Sequence, residues 1–437
     1  MLRAGVGCRV QHTRRTLAAL PIPGFSGFGI LGVAKGRFAM REPAEERPVW
    51  AWIDLDALHH NAQRAIACAD GRLVIGVVKA DGYGHGAADV ARGLMAAGIA
   101  RLAVVSVAEG AVLRRAGIVA PVLLLGGFDN AENAERALKW GLTPVLHDQR
   151  GFELARSLGR RDSPLAVEVE IDTGMHRMGV EQVAARGLLT RIAATPQLSL
   201  SGLWTHLVGA DEPDLEPSRA QVAELAAIHR DLETPHARPI DTHVVNSAGL
   251  LRRADIESSD TGLITTAVRP GLMLYGVSPF TDRSAESLDL EPVMTLAAQV
   301  VSVRSVAKGE RVGYGGEWRA DRTTWIATLP LGYADGIPRS LSGRAEVFLA
   351  GEMRPIVGRV SMDYIGVDVG NAPVEVGQLA TIFGRTPQGL RVPVENLAAA
   401  AGTVGYEILV GVGARVPRQV GSGLPPEGDL GSLDPAV

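Results

Sequence analysis

From residue 70 to about residue 280 the sequence alternates short β-branched runs with longer stretches at helical spacing. The runs occupy 73–79, 102–107, 122–125, 143–146, 166–171, 198–206, 243–246 and 272–275. Segments rich in Ala, Leu, Arg and Glu, such as 87–97 and 108–116, fall between them. Near-continuous apolar strands separated by helices indicate a parallel sheet covered on both faces. Eight such units predict an α/β fold, a (β/α)8 TIM-like barrel; an open doubly wound sheet is the competing arrangement.

The pattern changes near residue 285. Ser284, Ala285, Glu286 and Ser287 read as a linker. Beyond it, 295–303, 324–330, 345–349, 364–369 and 378–383 alternate apolar and polar residues between glycines and prolines. Few helix signals occur there, so a small all-β domain is expected, sandwich or barrel. The expected domains are a barrel over 46–285, a C-terminal β domain over 286–420 and a disordered tail over 421–437, rich in Gly, Pro, Ser and Asp. Before Glu42 there is no acid, while Arg3, Arg9, Arg14, Arg15, Lys35, Arg37 and Arg41 are basic. Residues 1–45 read as a dispensable, disordered extension, as a transit peptide, or as a misassigned start upstream of Met40.

Composition narrows the class. Over 437 residues the chain is 46% hydrophobic and 21% charged, in the range of a soluble globular protein. A net charge of -4, with no polybasic patch in the globular part, argues against nucleic acid as a partner. No apolar run approaches the ~18 residues that span a membrane. Cys8 and Cys68 cannot build a disulfide framework or a Cys-rich metal site, so a reducing, cytoplasmic setting is expected.

Chemically useful residues gather at the expected strand ends. The run Leu73-Val74-Ile75-Gly76-Val77-Val78 ends on Lys79 and is followed by a glycine-rich turn with Gly82, Gly84 and Gly86. A lysine in an apolar pocket has a lowered pKa and can act as a nucleophile toward an aldehyde. Glu168, Glu170, Asp172 and Arg177 end another run, Trp204-Thr205-His206 a third, His243 to Ser247 a fourth, and Arg269-Pro270-Gly271 lies at the last. Each alone has a structural explanation, as a cap, a core histidine or a solvated arginine. A barrel would bring all of them to one mouth, beside Lys79. No spacing resembles a zinc helix motif, so no metal is expected, and the three glycines do not have dinucleotide-loop spacing.

The segment 77–86, Val-Val-Lys-Ala-Asp-Gly-Tyr-Gly-His-Gly, resembles the pyridoxal-phosphate lysine motif of alanine racemases. The resemblance continues through 172–179, 243–247, 269–276, 312–315, 331–336 and 358–363, and covers roughly 48–420 in order. It implies a fold-type III pyridoxal 5'-phosphate enzyme: an N-terminal barrel, a C-terminal β domain and a head-to-tail homodimer with shared active sites. Lys79 matches the lysine that holds the cofactor, and Tyr314 the tyrosine offered by the second subunit; these two are the implied catalytic bases. Tyr83, Ser247, Gly271 and Tyr406 match phosphate-site residues, with Asn246 supporting the turn. His206 matches the histidine near the tyrosine. Arg177 matches the arginine at the substrate carboxylate, and Met362 a backbone amide there. Arg269 matches the arginine facing the pyridine nitrogen. A guanidinium cannot accept that proton, so proton return to Cα is favoured over transamination.

The implied activity is interconversion of L- and D-alanine, which supplies D-alanine for cell-wall synthesis. A racemase for serine or for a wider range is the second reading. A decarboxylase of the same plan would need a C-terminal cysteine motif, and no cysteine follows Cys68. A cofactor carrier would be a lone barrel, without the β domain that bears Tyr314 and Met362. Two positions depart from the family. Glu170 stands where many members carry a carbamylated lysine next to the arginine matched by Arg177, so a carboxylate without that modification is expected; the alternative is an ordinary strand residue with another partner. Gly82 replaces a somewhat larger residue, and extra room or flexibility near the cofactor is expected.

Overall fold

Apolar β-branched runs fold as strands when both of their faces are covered, and six of the eight expected runs do so here. The computed structural model describes residues 47–232, 240–257, 261–263 and 265–426. The expectations for residues 1–45, for a start at Met40 and for residues 427–437 lie outside these.

Strand β1 is Val49–Asp54. The barrel strands are β2 (Leu73–Val77), β3 (Arg101–Val104), β4 (Val122–Leu124), β5 (Leu142–Leu146), β6 (Leu165–Asp172), β7 (Leu198–Trp204), β8 (Asp241–His243) and β9 (Ala267–Val268). Their order is β9-β2-β3-β4-β5-β6-β7-β8, with every pairing parallel. The circle closes through backbone bonds: Thr266 N–H donates to Thr242 O at 2.8 Å, and Arg269 N–H to Val245 O at 3.0 Å. Two expected strands are corrected: of the run 243–246 only His243 is in a strand, at the end of β8. Residues Leu272–Tyr275 form a fully buried 3-10 turn, and the eighth strand is the two-residue β9 just before it.

The second sheet contains β10 (Met294–Gln299), β11 (Ser302–Val306), β12 (Thr324–Leu329), β13 (Glu346–Leu349), β14 (Glu352–Val357), β15 (Ile365–Gly370), β16 (Leu379–Arg385) and β17 (Arg418–Gly421). Its order is β11-β12-β15-β14-β13-β16-β10-β1-β17. Strand β1 thus belongs to this sheet and not to the barrel, antiparallel to β10 and parallel to β17. The reason is burial: all six residues of β1 are buried, which an edge position outside both sheets could not provide. The tail expected to be disordered from Gly421 is partly tied down. Gly421 pairs with Asp54, Trp52 Nε1–H donates to Gly423 O at 3.0 Å, and Gly423 N–H donates to Asp54 at 3.1 Å.

Asp54 also starts the helix Leu55–Ala69, its carboxylate accepting from Asp56 N–H and Ala57 N–H. That helix pins the segment between the sheets. Asn61, fully buried, donates to Leu274 O at 3.2 Å and to Glu291 O at 2.7 Å, and accepts from Glu291 N–H at 2.8 Å. A Cβ on Gly276 would collide with the Glu291 carbonyl. The segments on either side of the expected linker are therefore packed, while Ser284, Glu286 and Ser287 themselves are exposed. Among the described residues, no helix is long and apolar enough to cross a membrane.

Candidate active site

Strand β2 delivers Lys79 to the barrel mouth, and an unusual turn holds it. Ala80, Asp81, Gly82 and Tyr83 all have left-handed backbone angles, with φ between 52 and 61 degrees. Such a conformation costs roughly 1–2 kcal/mol per non-glycine residue, so neighbours must enforce it. Glu109 accepts from Ala80 N–H at 2.9 Å, and Asp81 accepts from Ala87 N–H at 2.8 Å. Gly84 N–H donates to Ala80 O at 2.9 Å, and Gly86 N–H to Asp81 O at 2.9 Å. Of the room or flexibility expected at Gly82, the room is not there: a Cβ would lie 3.2 Å from Ala87 Cα and 3.3 Å from Val90 Cγ2.

Lys79 is part-buried, and its pKa is lowered by that burial and then by the Arg177 guanidinium, against a smaller raising effect of Glu109. His206 is pushed down to about 3 by burial, followed by the charges of Arg269, Arg177 and Lys79. These four side chains therefore share one electrostatic neighbourhood, which disfavours the charged forms of the amine and the imidazole. Arg177 itself is exposed. Its expected neighbour Glu170 makes no bond to it; the Glu170 carboxylate lies 3.0 Å from His147 Nδ1.

Arg269 is buried, and burial lowers it to about 10, against the raising charges of Glu170 and Glu168. Its Nη1 donates to His243 Nδ1 and, at 3.1 Å, to His243 O, while Nη2 donates to Thr205 O at 2.8 Å. The guanidinium lies 4.3 Å over the Trp204 ring. His243 in turn faces Glu168.

A polar nest lies beyond the turn. Ser247 Oγ accepts Gly271 N–H at 2.9 Å and Met273 N–H at 3.2 Å. Asn246 caps the helix Ser247–Leu251 by accepting from Gly249 N–H at 3.0 Å. A Cβ on Gly271 would collide with the Tyr83 hydroxyl, so only glycine fits there. Tyr83 stacks on Tyr275 at 4.6 Å and lies 6.0 Å from the Tyr406 ring. Burial raises both the Tyr83 and Tyr406 phenols, the latter to about 12. A cavity of about 680 Å³ opens beside Asn246, Tyr275 and Tyr406, but Lys79 and Arg269 do not line it.

Tyr314 and Met362 stand apart on the second domain, 72% and 51% exposed. Tyr314 opens a one-turn 3-10 helix against the 358–359 backbone, where Gly315 would bring a Cβ to 3.2 Å from the Arg359 guanidinium. Met362 O accepts from Ala334 N–H at 3.1 Å. Both side chains are thus open to solvent.

Sequence reasoning gave no role to Glu109, Tyr275 or the Glu168–His243 pair. Glu109 was detectable: Ser106-Val107-Ala108-Glu109 is a capping-box pattern, and both of its bonds form. Tyr275 O–H donates to Val77 O at 2.9 Å, a contact between distant segments that no local pattern announces.

The family model of the alanine racemase N-terminal domain matches residues 53–279, and that of the C-terminal domain matches 293–420. An alanine racemase of Thioalkalivibrio sulfidiphilus is 40% identical over 373 residues, 85% of this chain and 98% of the relative. One of Desulforamulus reducens is 38% identical over 382 residues, 85% of this chain and 99% of the relative. The crystal structure of the biosynthetic alanine racemase of Pseudomonas aeruginosa is 36% identical with a TM-score of 0.76, covering 86% of this chain and 100% of that one. That of D-cycloserine-producing Streptomyces lavendulae is 32% identical with a TM-score of 0.79, covering 87% and 98%. Two domain models in order and relatives matched over nearly their whole length leave one conclusion: the chain belongs to the alanine racemase family.

Proposed function

We propose that this chain interconverts L- and D-alanine with pyridoxal phosphate, as a homodimer with shared active sites, and so supplies D-alanine for cell-wall synthesis in the cytoplasm. The observation that carries the reading is Lys79: a part-buried amine at a barrel mouth, its pKa lowered by burial and by Arg177, with His206 and Arg269 in the same field.

The pocket fits the cofactor on its own chemistry. Gly271 is a cradle that any side chain would fill, and Ser247 Oγ joins it to the Tyr83 side of the site. Burial keeps the Tyr83 and Tyr406 phenols protonated, as donors to a phosphate must be. Tyr83, Ser247, Gly271 and Tyr406 would hold the phosphate, with Asn246 behind the turn, and Lys79 would bind the aldehyde. Bound there, pyridoxal phosphate supplies the electron sink that acidifies the amino-acid Cα–H.

The chain's residues supply the rest. Arg177 would hold the substrate carboxylate, joined by the Met362 amide of a second copy. Lys79, with its lowered pKa, carries a proton to and from Cα on one face. Tyr314 from the second copy serves the opposite face, and two bases on opposite faces invert the centre. His206, held neutral, and Arg269, held charged, would favour the phenolate and a fixed ring nitrogen respectively. The Arg269 charge keeps protons off that nitrogen.

A chiral assay of purified protein with pyridoxal phosphate tests this, offering L-alanine, L-serine and longer L-amino acids, with Lys79→Ala as control. D-alanine should form fastest and be lost in the variant. Faster turnover of another amino acid would move the specificity, and no D-product from any of them would refute the reaction.

A further inference from the structure

Two carboxylates on β6, Glu168 and Glu170, point inward at alternate positions, and the reaction described above assigns nothing to Glu168. Its side chain is fully buried. Oε1 accepts from Arg101 Nη2, and Oε2 lies 3.0 Å from His243 Nε2. Arg101 also donates to Asp241 at 3.0 Å, and Asp241 opens β8 as Arg101 opens β3. A continuous line therefore runs from the strand starts to the mouth: Asp241, Arg101, Glu168, His243, Arg269.

Hydrogen-bond chemistry fixes the state of His243. A guanidinium has only donors, so His243 Nδ1, which receives Arg269, carries a lone pair. The ring proton is then on Nε2, aimed at Glu168. All direct acceptors of Arg269 are neutral: His243 Nδ1, His243 O and Thr205 O. Gly202 on the neighbouring strand makes the space, because a Cβ there would lie 2.5 Å from Glu168 Cδ. The Trp204 ring packs against both of these groups, stacked on His243 at 5.6 Å and under Arg269 at 4.3 Å.

We propose that Glu168, anchored by Arg101, is a positioning residue: its carboxylate fixes the tautomer and orientation of His243, which in turn fixes Arg269 at the cofactor ring. The proposal rests on the racemase reading for the role of Arg269, but the bond it invokes exists without cofactor.

The test uses full-length wild type, His243→Gln, Glu168→Gln and the double variant Glu168→Gln/Arg101→Met. In cofactor-free wild type, proton NMR should show an exchange-protected, downfield imidazole N–H that is absent in His243→Gln and moves upfield in Glu168→Gln. In the loaded enzyme, Glu168→Gln should lower kcat by about 10-fold or more, the effect typical of losing the partner that orients a site histidine, with KM for alanine within about twofold. Glu168→Gln also strands Arg101, so its melting temperature should fall, and the double variant should recover it. The decisive result is that kcat stays low in the double variant while stability returns. Recovery of kcat along with stability would make Glu168 merely structural and overturn the proposal, as would a wild type lacking the downfield proton. A wild type that shows the proton yet racemises nothing would uphold the Glu168–His243 bond and refute the reaction instead.

Discussion

Glu170 lies 3.0 Å from His147 Nδ1, and the same histidine approaches Leu125 O through Nε2 at 2.9 Å. The carboxylate thus lies buried inside the barrel beside His147, just past β5, rather than against Arg177. It is also among the charges that support the buried Arg269 guanidinium. A side chain that is anionic without modification needs no carbon dioxide to complete it. Activity is therefore expected to be equal in bicarbonate-supplemented and carbon-dioxide-depleted buffers. Comparison of kcat/KM in the two settles it, and a bicarbonate requirement would sink the idea.

Arg269 offers a test of reaction choice. Its three bonds to neutral acceptors place a permanent cation where the resemblance puts the ring nitrogen. A carboxylate in that place would favour a protonated nitrogen and the competing transfer of the amino group. Arg269→Glu should raise pyridoxamine phosphate formed per D-alanine, read by chromatography of the released cofactor, after circular dichroism has shown the variant folded. An unchanged ratio would count against this role.

Three histidines predict how the fold responds to acid. Burial, above all, lowers His85 and His243 to about 4 and His206 to about 3, from an ordinary value of 6.5. Unfolded, each takes up a proton near its ordinary value, while the native chain does not. The unfolded state then binds more protons between about pH 6.5 and 4, so stability rises with pH across that window and is lost on acidification. The combined loss should be on the order of several kcal/mol. Urea midpoints measured across the window should fall steadily with pH. His85→Gln, which touches neither Arg269 nor Lys79 in the bonds described, should flatten the slope.

Much of this was legible in the chain, and the illegible parts have a common cause. Strands such as Leu73–Val77 and Leu142–Leu146 announce themselves because their own residues are apolar and β-branched. Leu272–Tyr275 misleads because a short buried turn and a short buried strand have the same apolar run, and the true strand Ala267–Val268 is too brief to show a period. The partners of the strand Val49–Asp54, Met294–Gln299 and Arg418–Gly421, are remote in sequence, so no local pattern assigns it to its sheet. The site divides the same way. Lys79, Arg269 and Ser247 sit in recognisable local motifs. The Arg101–Glu168–His243 line joins three strands across the barrel, and only closure of that barrel brings them together.

The exposure of Tyr314 carries the last prediction. A phenol 72% open to solvent is accessible to a second copy, and on the shared-site reading it serves the Lys79 of that copy. In a two-fold dimer built this way, each active site takes Lys79 from one subunit and Tyr314 from the other. Lys79→Ala and Tyr314→Ala homodimers should then both be nearly inactive. Unfolded together and refolded as a mixture, half of the dimers would be mixed, and each mixed dimer would own one intact site and one site lacking both bases. Activity should therefore return to roughly a quarter of the wild-type level in an equal mixture. The measurement is D-alanine formation before and after subunit exchange, with sedimentation to confirm the dimer. A mixture that stays as inactive as its parents, although exchange is shown by labelled subunits, would mean that both bases act within one chain.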